Sequence, residues 1–420
     1  MINLRHLILE KCGELTRMLR GLGELTGLGT LGTFALSKNN YMWRGSAGLG
    51  ELRRLKELRG ELDIINLRHV KDVMLESNVG ALVNEKQHLH SLNLNWKRGE
   101  DVNAVDEKDI IMSMEVLQPH SNLKELSVWF YGGLRFASWF SSLINIINLR
   151  SHYCERCQNL PHLDHLPSLK YLELSHLKKL EYIADNASSN SMSDEMMMMS
   201  FFPALEKLSM YSCPVLKGWW RAHTHNSASS SSSTENLFFP LPSFPCLSTL
   251  IIQNCRNLSS MSLCPNVDRI RLYRTSLKVL HSLFVRGASD ITHDVGVDVS
   301  ATSSSPHLSK LTYLSLYGIE NLECLTSEGM GSLTSLQLLS ITFCPNLASL
   351  PEEISNLTSL QQLEIDHCSN LASLPEGIRG LSCLNKLQVW RCPILSERCE
   401  KEKGEDWPKN IAHIPFVRIK

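Results

Sequence analysis

Two places in this 420-residue sequence have residue types and spacing that could do chemistry. Gly27-Leu28-Gly29-Thr30-Leu31-Gly32 satisfies G-x-G-x-x-G, the spacing with which a strand-to-helix turn holds a dinucleotide pyrophosphate. His152, Cys154, Cys157, His162 and His165 place nitrogen and sulfur donors in one short window, as a zinc site requires. Each has a competing explanation. A dinucleotide loop needs a strand before it, a helix after it and a carboxylate about 20 residues on. Here Leu25, Leu28 and Leu31 recur every third residue as structural anchors. The step from Cys157 to His162 is too short for a finger, which places about twelve residues between its Cys and His pairs. Cys154 also falls on a repeating structural position described below. The 16 His are scattered. Several, such as His6 and His367, occupy outward repeat positions where solvated surface is expected.

The sequence contains no G-x-x-x-x-G-K-[ST], G-x-S-x-G or H-E-x-x-H. No catalytic, cofactor-binding or metal residues are therefore assigned, and an enzyme is not expected. Lys plus Arg is 42 and Asp plus Glu is 43, a net charge of -1. That balance argues against general binding to nucleic acid or an anionic membrane. No run of about 18 apolar residues exists to span a bilayer, and Arg5, His6, Glu10 and Lys11 break any apolar leader. A cytoplasmic or nucleocytoplasmic chain is expected. Its 13 Cys, an odd number, suit a reducing compartment. The sequons at Asn186, Asn257 and Asn356 read as coincidence.

What must position any functional side chain is a repeat. Leu336, Leu339, Ile341 and Cys344 recur as Leu360, Leu363, Ile365 and Cys368, then as Leu384, Leu387, Val389 and Cys392, with a period of 24 residues. That lies in the range of leucine-rich repeats. The frame L-x-x-L-x-L-x-x-C also starts at Leu4, Leu205 and Leu247 with its Cys. It starts at Leu89, Leu123, Leu169 and Leu311 without one, and more weakly at Leu28, Leu58, Ile146 and Val267. The Ile146 copy has Ser151 where the third apolar residue belongs. Alternation at period 2 directs the paired aliphatics to one side of a short strand. The Cys after the strand is small enough to tuck inward and bond the turning backbone. Cys12, Cys154, Cys213, Cys255, Cys344, Cys368 and Cys392 hold that position. Pro351 and Pro375 end the return segments.

The expected fold is an α/β repeat solenoid, a leucine-rich-repeat horseshoe with a concave parallel sheet and irregular convex loops. It should span residues 1–395 in about 14 irregular repeats, followed by a C-terminal capping tail, 396–420. Loop insertions are expected near 99–115, 185–200, 223–240 and 287–305. These carry a Met196–Met199 run and the serines Ser229–Ser233, and lack apolar anchors.

These residues resemble a known family. Asn3–Cys12 and Gly21–Leu31 look like the repeats that follow the nucleotide-binding module of plant disease-resistance proteins of the coiled-coil class. Gly60–Leu67, Leu117–Leu126, Tyr131-Gly132-Gly133 and Leu166–Leu172 fit the same family in order. Cys392–Leu395, Arg398-Cys399 and Gly404–Pro415 resemble its C-terminal ending. Phe136–Trp139 and Asp164–Leu166 depart from the family pattern in local loops. The family's coiled coil and ATP/ADP module do not precede these repeats, so no nucleotide cofactor is expected. The chain reads as a receptor fragment, a truncated product or an excised domain.

The resemblance implies a non-catalytic recognition domain of an immune receptor, sensing pathogen effectors or modified host proteins and contributing to autoinhibition. Its partners would be an effector, a guarded host protein and the receptor's nucleotide-binding domain. Alternatives are a substrate adaptor of a ubiquitin ligase and a non-functional receptor fragment. The strand register exposes Trp129, Tyr171, Tyr211, Arg269, Arg271, Tyr273, Tyr313, Tyr317, Glu364, Asp366, Lys386 and Trp390 on the concave face. Aromatics and Arg are enriched among interface hot spots. The competing expectation is that these aromatics pack sideways as cross-strand pairs.

Overall fold

Each of the repeat frames read from the sequence lies on a β-strand in the structure, a computed structural model. It describes residues 3–9, 15–37, 47–69, 83–96, 107–185, 201–221, 243–261, 263–285, 308–319, 321–331 and 333–420. The Met run, the serine run, Cys12, and most of the insertions expected near 99–115, 185–200, 223–240 and 287–305 lie outside those residues.

The chain divides into two compact units. The first comprises residues up to 191 with 202–205 and 211–225; the second comprises the rest. In the first, parallel strands run in chain order: β1 (Thr33–Ala35), β2 (Arg59–Ile65), β3 (His88–Asn95), β4 (Glu125–Trp129), β5 (Asn148–His152) and β6 (Tyr171–Ser175). The Leu4 frame gives a short strand, His6–Leu7, paired with Thr30–Leu31. The second unit holds β7 (Lys207–Tyr211, whose last residue counts with the first unit), β8 (Thr249–Gln253) and β9 (Arg269–Tyr273). It continues with β10 (Tyr313–Tyr317), β11 (Leu338–Thr342), β12 (Gln362–Asp366), β13 (Lys386–Trp390) and β14 (Phe416–Ile419).

The register explains the core. Leu250, Ile270, Leu314, Leu339, Leu363, Leu387 and Val417 pair strand to strand, as do Ile252, Leu272, Leu316, Ile341, Ile365, Val389 and Ile419. From β8 to β13 these side chains are buried. Each contributes about 1.5–3 kcal/mol when it leaves water, and only stacked neighbours can cover it. Ser151, the exception in the frame, is also buried and donates its hydroxyl to Cys154 Sγ at 3.2 Å.

The turn after each strand is built from two adjacent residues. Cys154, Cys213, Cys255, Cys344, Cys368 and Cys392 are buried, and each thiol donates to the carbonyl two residues back, at 3.2 to 3.6 Å. The residue before the Cys sits at positive φ: Tyr153 at 57°, Asn254 at 54°, Phe343 at 52°, His367 at 52° and Arg391 at 50°. Phe130, His176 and Arg274 repeat that conformation in copies without Cys. A side chain costs about 1–2 kcal/mol there. The freed N–H extends the ladder by one bond, as from Tyr153 to Ser175 O at 2.8 Å and from Phe343 to Asp366 O at 2.9 Å.

Carboxylates link the return segments. Glu51 accepts from the amides of Gly21 and Gly23 at 2.9 and 2.6 Å. Glu352 accepts from Glu376 and Gly377 at 3.2 and 2.8 Å, holding the 3-10 turn Glu376–Gly380. Gly377 must be glycine, because a Cβ there would lie 2.3 Å from Glu352 O.

Two segments carry elements outside the repeat frame. Within 99–115, residues Glu107–Glu115 form a helix. It buries Ile110 and Met114, and Ser113 Oγ accepts from the buried Trp96 indole at 3.0 Å. The tail 396–420 contributes a strand: β14 pairs in parallel with β13, extending the ladder. Arg398 and the buried Asp406 hold the turn before it, bonding at 3.2 and 3.3 Å. No described helix is long and apolar enough to cross a membrane.

Candidate recognition face

All twelve residues expected on the outward strand face lie on ladder strands, at positions alternating with buried aliphatics. Tyr171 is 41 % exposed, Arg269 is exposed and the others are half-buried. Partial burial has a definite cause: many lie against a neighbour on the next strand.

In the first unit Trp129 stacks on His152 with centroids 4.0 Å apart. Burial lowers the His152 pKa, opposed by Glu173 at 3.9 Å, so the ring stays neutral around pH 7. Beside this pair runs a second column that sequence reading missed. Phe130 stacks on Tyr153 at 5.0 Å, and Tyr153 on His176 at 4.2 Å. These are positive-φ turn residues, and their fixed backbone aims successive side chains along the same edge.

In the second unit Tyr273 and Tyr317 pair in register and stack at 5.5 Å. Arg269 and Arg271 both reach over the Tyr313 ring, at 5.8 and 5.2 Å, and Arg274 lies over Tyr317 at 6.0 Å. The turn column continues here. Tyr317 meets Phe343 at 5.1 Å, Phe343 stacks on His367 at 4.0 Å, and His367 Nε2 lies 3.4 Å from Arg391 Nη1. His367 is thus a stacked, half-buried ring, not the solvated side chain its outward position suggested. Glu364 sits 3.9 Å from Lys386, and Asp366 Oδ1 is 2.7 Å from His367 Nδ1. Trp390 stands apart from the tyrosines, with Arg418 over its ring at 5.2 Å. The structure therefore joins Arg269, Arg271, Tyr273, Tyr313 and Tyr317 in one patch. The missed column had a readable signal: a large or polar residue immediately before the framework Cys, as in Tyr153, Phe343, His367 and Arg391.

The two chemical motifs are absorbed by the fold. Leu28 and Leu31 of the glycine-rich stretch are buried anchors, and Gly27 O accepts from Arg5 at 3.1 Å. His152 lies on the outward strand face, buried under Trp129, while Cys154 and Cys157 are buried on the inward side; Cys157 donates to Asn159 O at 3.2 Å. His165 lies beside Asp164 at 3.1 Å. Burial pushes the Cys154 thiol up to about 11 and raises Cys157 further, so both remain protonated. Among the described residues no three His, Cys, Asp or Glu are placed to hold a metal.

Comparison with known proteins bears on which repeats these are. Residues 49–177 match the R13L1/DRL21 leucine-rich-repeat family, and residues 221–369 match the leucine-rich repeats of RPS2-like plant disease resistance proteins. Disease resistance protein RGA4 of Solanum bulbocastanum is 34 % identical over 64 % of this chain, which covers 26 % of that protein. RGA1 of the same plant is 34 % identical over 95 % of this chain, covering 37 % of that protein. An Arabidopsis thaliana disease resistance protein, At3g14460, is 24 % identical over 73 % of this chain and is covered for 21 % of its length. The chain thus spans only 26 % and 37 % of the length of these two Solanum relatives.

Proposed function

From the similarity of its leucine-rich repeats to those of plant disease resistance proteins, we propose that this chain is the recognition region of a cytoplasmic or nucleocytoplasmic immune receptor. It binds a pathogen effector, or a host protein that an effector alters, through the outward strand face. It performs no catalysis and needs no cofactor. In the full receptor it also restrains the nucleotide-binding domain, and partner binding favours one of two domain arrangements.

The observation that carries this reading is the patch of Arg269, Arg271, Tyr273, Tyr313 and Tyr317, in which Arg269 is exposed and the other four are half-buried against one another. Stacking holds these side chains in place, so little rotamer entropy remains to be lost when a partner arrives. The test is Tyr313→Ala, Tyr317→Ala and Trp390→Ala together in a full-length receptor, with effector-triggered cell death and partner affinity as readouts. Both should fall. Unchanged affinity in a folded triple variant would remove the reading. Constitutive signalling after deletion of this region would support the restraining role, and a silent receptor would count against it.

A further inference from the structure

The outward face of the second unit is unevenly charged. Across β8, β9, β10 and β11 the outward positions include Arg269 and Arg271 and no carboxylate. Arg274 adds a third guanidinium on the turn after β9. Asp268, just before β9, lies 4.0 Å from Arg269 Nε. Among the described residues neither Arg271 nor Arg274 has a carboxylate in ion-pair range; both lie on tyrosine rings instead. The next acids along the face are Glu364 and Asp366 on β12, about 14 Å from β9 at the usual strand spacing, already engaged with Lys386 and His367.

The same rows shape a trough. Arg271 pairs in register with Ser315, and Ser315 with Ser340. These serines are only 6 % and 9 % exposed. They form a low floor between Tyr313 and Leu338 on one side and Tyr317 and Thr342 on the other. Gly318, at φ 64°, keeps the space beside Arg274 open, since a Cβ there would lie 2.9 Å from Arg274 Cγ.

We propose that this trough takes an acidic peptide segment of the partner protein, its carboxylates on Arg271 and Arg274 and its backbone over Ser315 and Ser340. The inference rests on the recognition reading above and names the chemistry of what is recognised. A guanidinium on an aromatic face keeps its N–H fork free for a carboxylate. The flanking tyrosines exclude water around the pair. Opposite charge steers the encounter. A long polyanion such as nucleic acid suits the site less, because it would run onto Glu364 and Asp366.

Fluorescence anisotropy with the full chain tests this. The probes are a fluorescein-labelled peptide of about ten residues built from Glu, Asp and Tyr, its Gln/Asn counterpart, and a single-stranded DNA oligonucleotide of similar length. The acidic peptide should bind about tenfold or more tightly than the neutral one, and weaken as NaCl rises from about 50 to about 300 mM. Arg271→Gln with Arg274→Gln should weaken it about tenfold, while Arg271→Lys with Arg274→Lys should keep much of the salt-dependent binding. Lys278→Gln, outside the trough, should leave it unchanged. Equal binding of acidic and neutral peptides, a Gln double variant that binds like the parent, or tighter binding of the oligonucleotide would each overturn the proposal. Each of those outcomes leaves the recognition reading open, because that reading is judged by the separate Tyr313, Tyr317 and Trp390 experiment.

Discussion

Lys86 is fully buried just before β3, and its ammonium donates to Leu52 O at 2.7 Å. Burial lowers its pKa from 10.5 to about 8, partly opposed by Glu85. The folded chain therefore holds this proton more weakly than the unfolded chain does. Below pH 8 the buried charge lowers stability by roughly 3 kcal/mol. As pH rises from 8 towards 10.5 the folded state releases the proton first, so stability increases through that window. Between about pH 7 and about pH 9.5 the gain is about 2 kcal/mol. Lys86→Met keeps the length and apolar stem but removes the titration. It also leaves Leu52 O without this donor, a pH-independent loss of about 1 kcal/mol. Urea unfolding of both proteins, followed by circular dichroism at the two pH values, isolates the effect. The parent should gain about 2 kcal/mol on the variant between pH 7 and pH 9.5. A difference that stays constant with pH would show that the ammonium is not desolvated as the packing requires.

Gly377→Ala should cost about 1–3 kcal/mol, because its methyl meets the Glu352 carbonyl; a thermal melt indistinguishable from the parent would contradict that approach. At pH 8, iodoacetamide should label the exposed Cys246, Cys324 and Cys383 and spare Cys154, Cys264 and Cys399. Burial raises those three thiols to about 11, 12 and 12, and mass spectrometry of the folded protein reads the outcome. His152 should titrate below the ordinary histidine range in an NMR pH series, because burial disfavours its cation. Trp129→Ala, which uncovers the ring, should move that titration upward; no movement would mean the stack does not bury it.

The inward rows, the strand positions and the buried thiols after them were legible because they follow from local geometry. Alternate residues of a strand face opposite sides whatever surrounds them, so Leu363 and Ile365 could be assigned to the core from spacing alone. Cys368 could be placed in the turn for the same reason. The outward residues were legible as a set, but not their groupings. Whether Arg271 reaches Tyr313 or solvent depends on Ser315 being its small register partner, and that partner lies 44 residues away.

Positive φ at Phe130, Tyr153, Phe343 and His367 was likewise decided by assembly. An isolated aromatic residue avoids that conformation; here a ladder bond from the next strand and stacking along the edge offset the cost. The strand Phe416–Ile419 forms because β13 presents an open edge to a segment with no leucine frame of its own. A single repeat thus dictates which way each side chain points. Only neighbouring repeats, held in register by parallel hydrogen bonds, decide what each side chain touches and whether it keeps its charge.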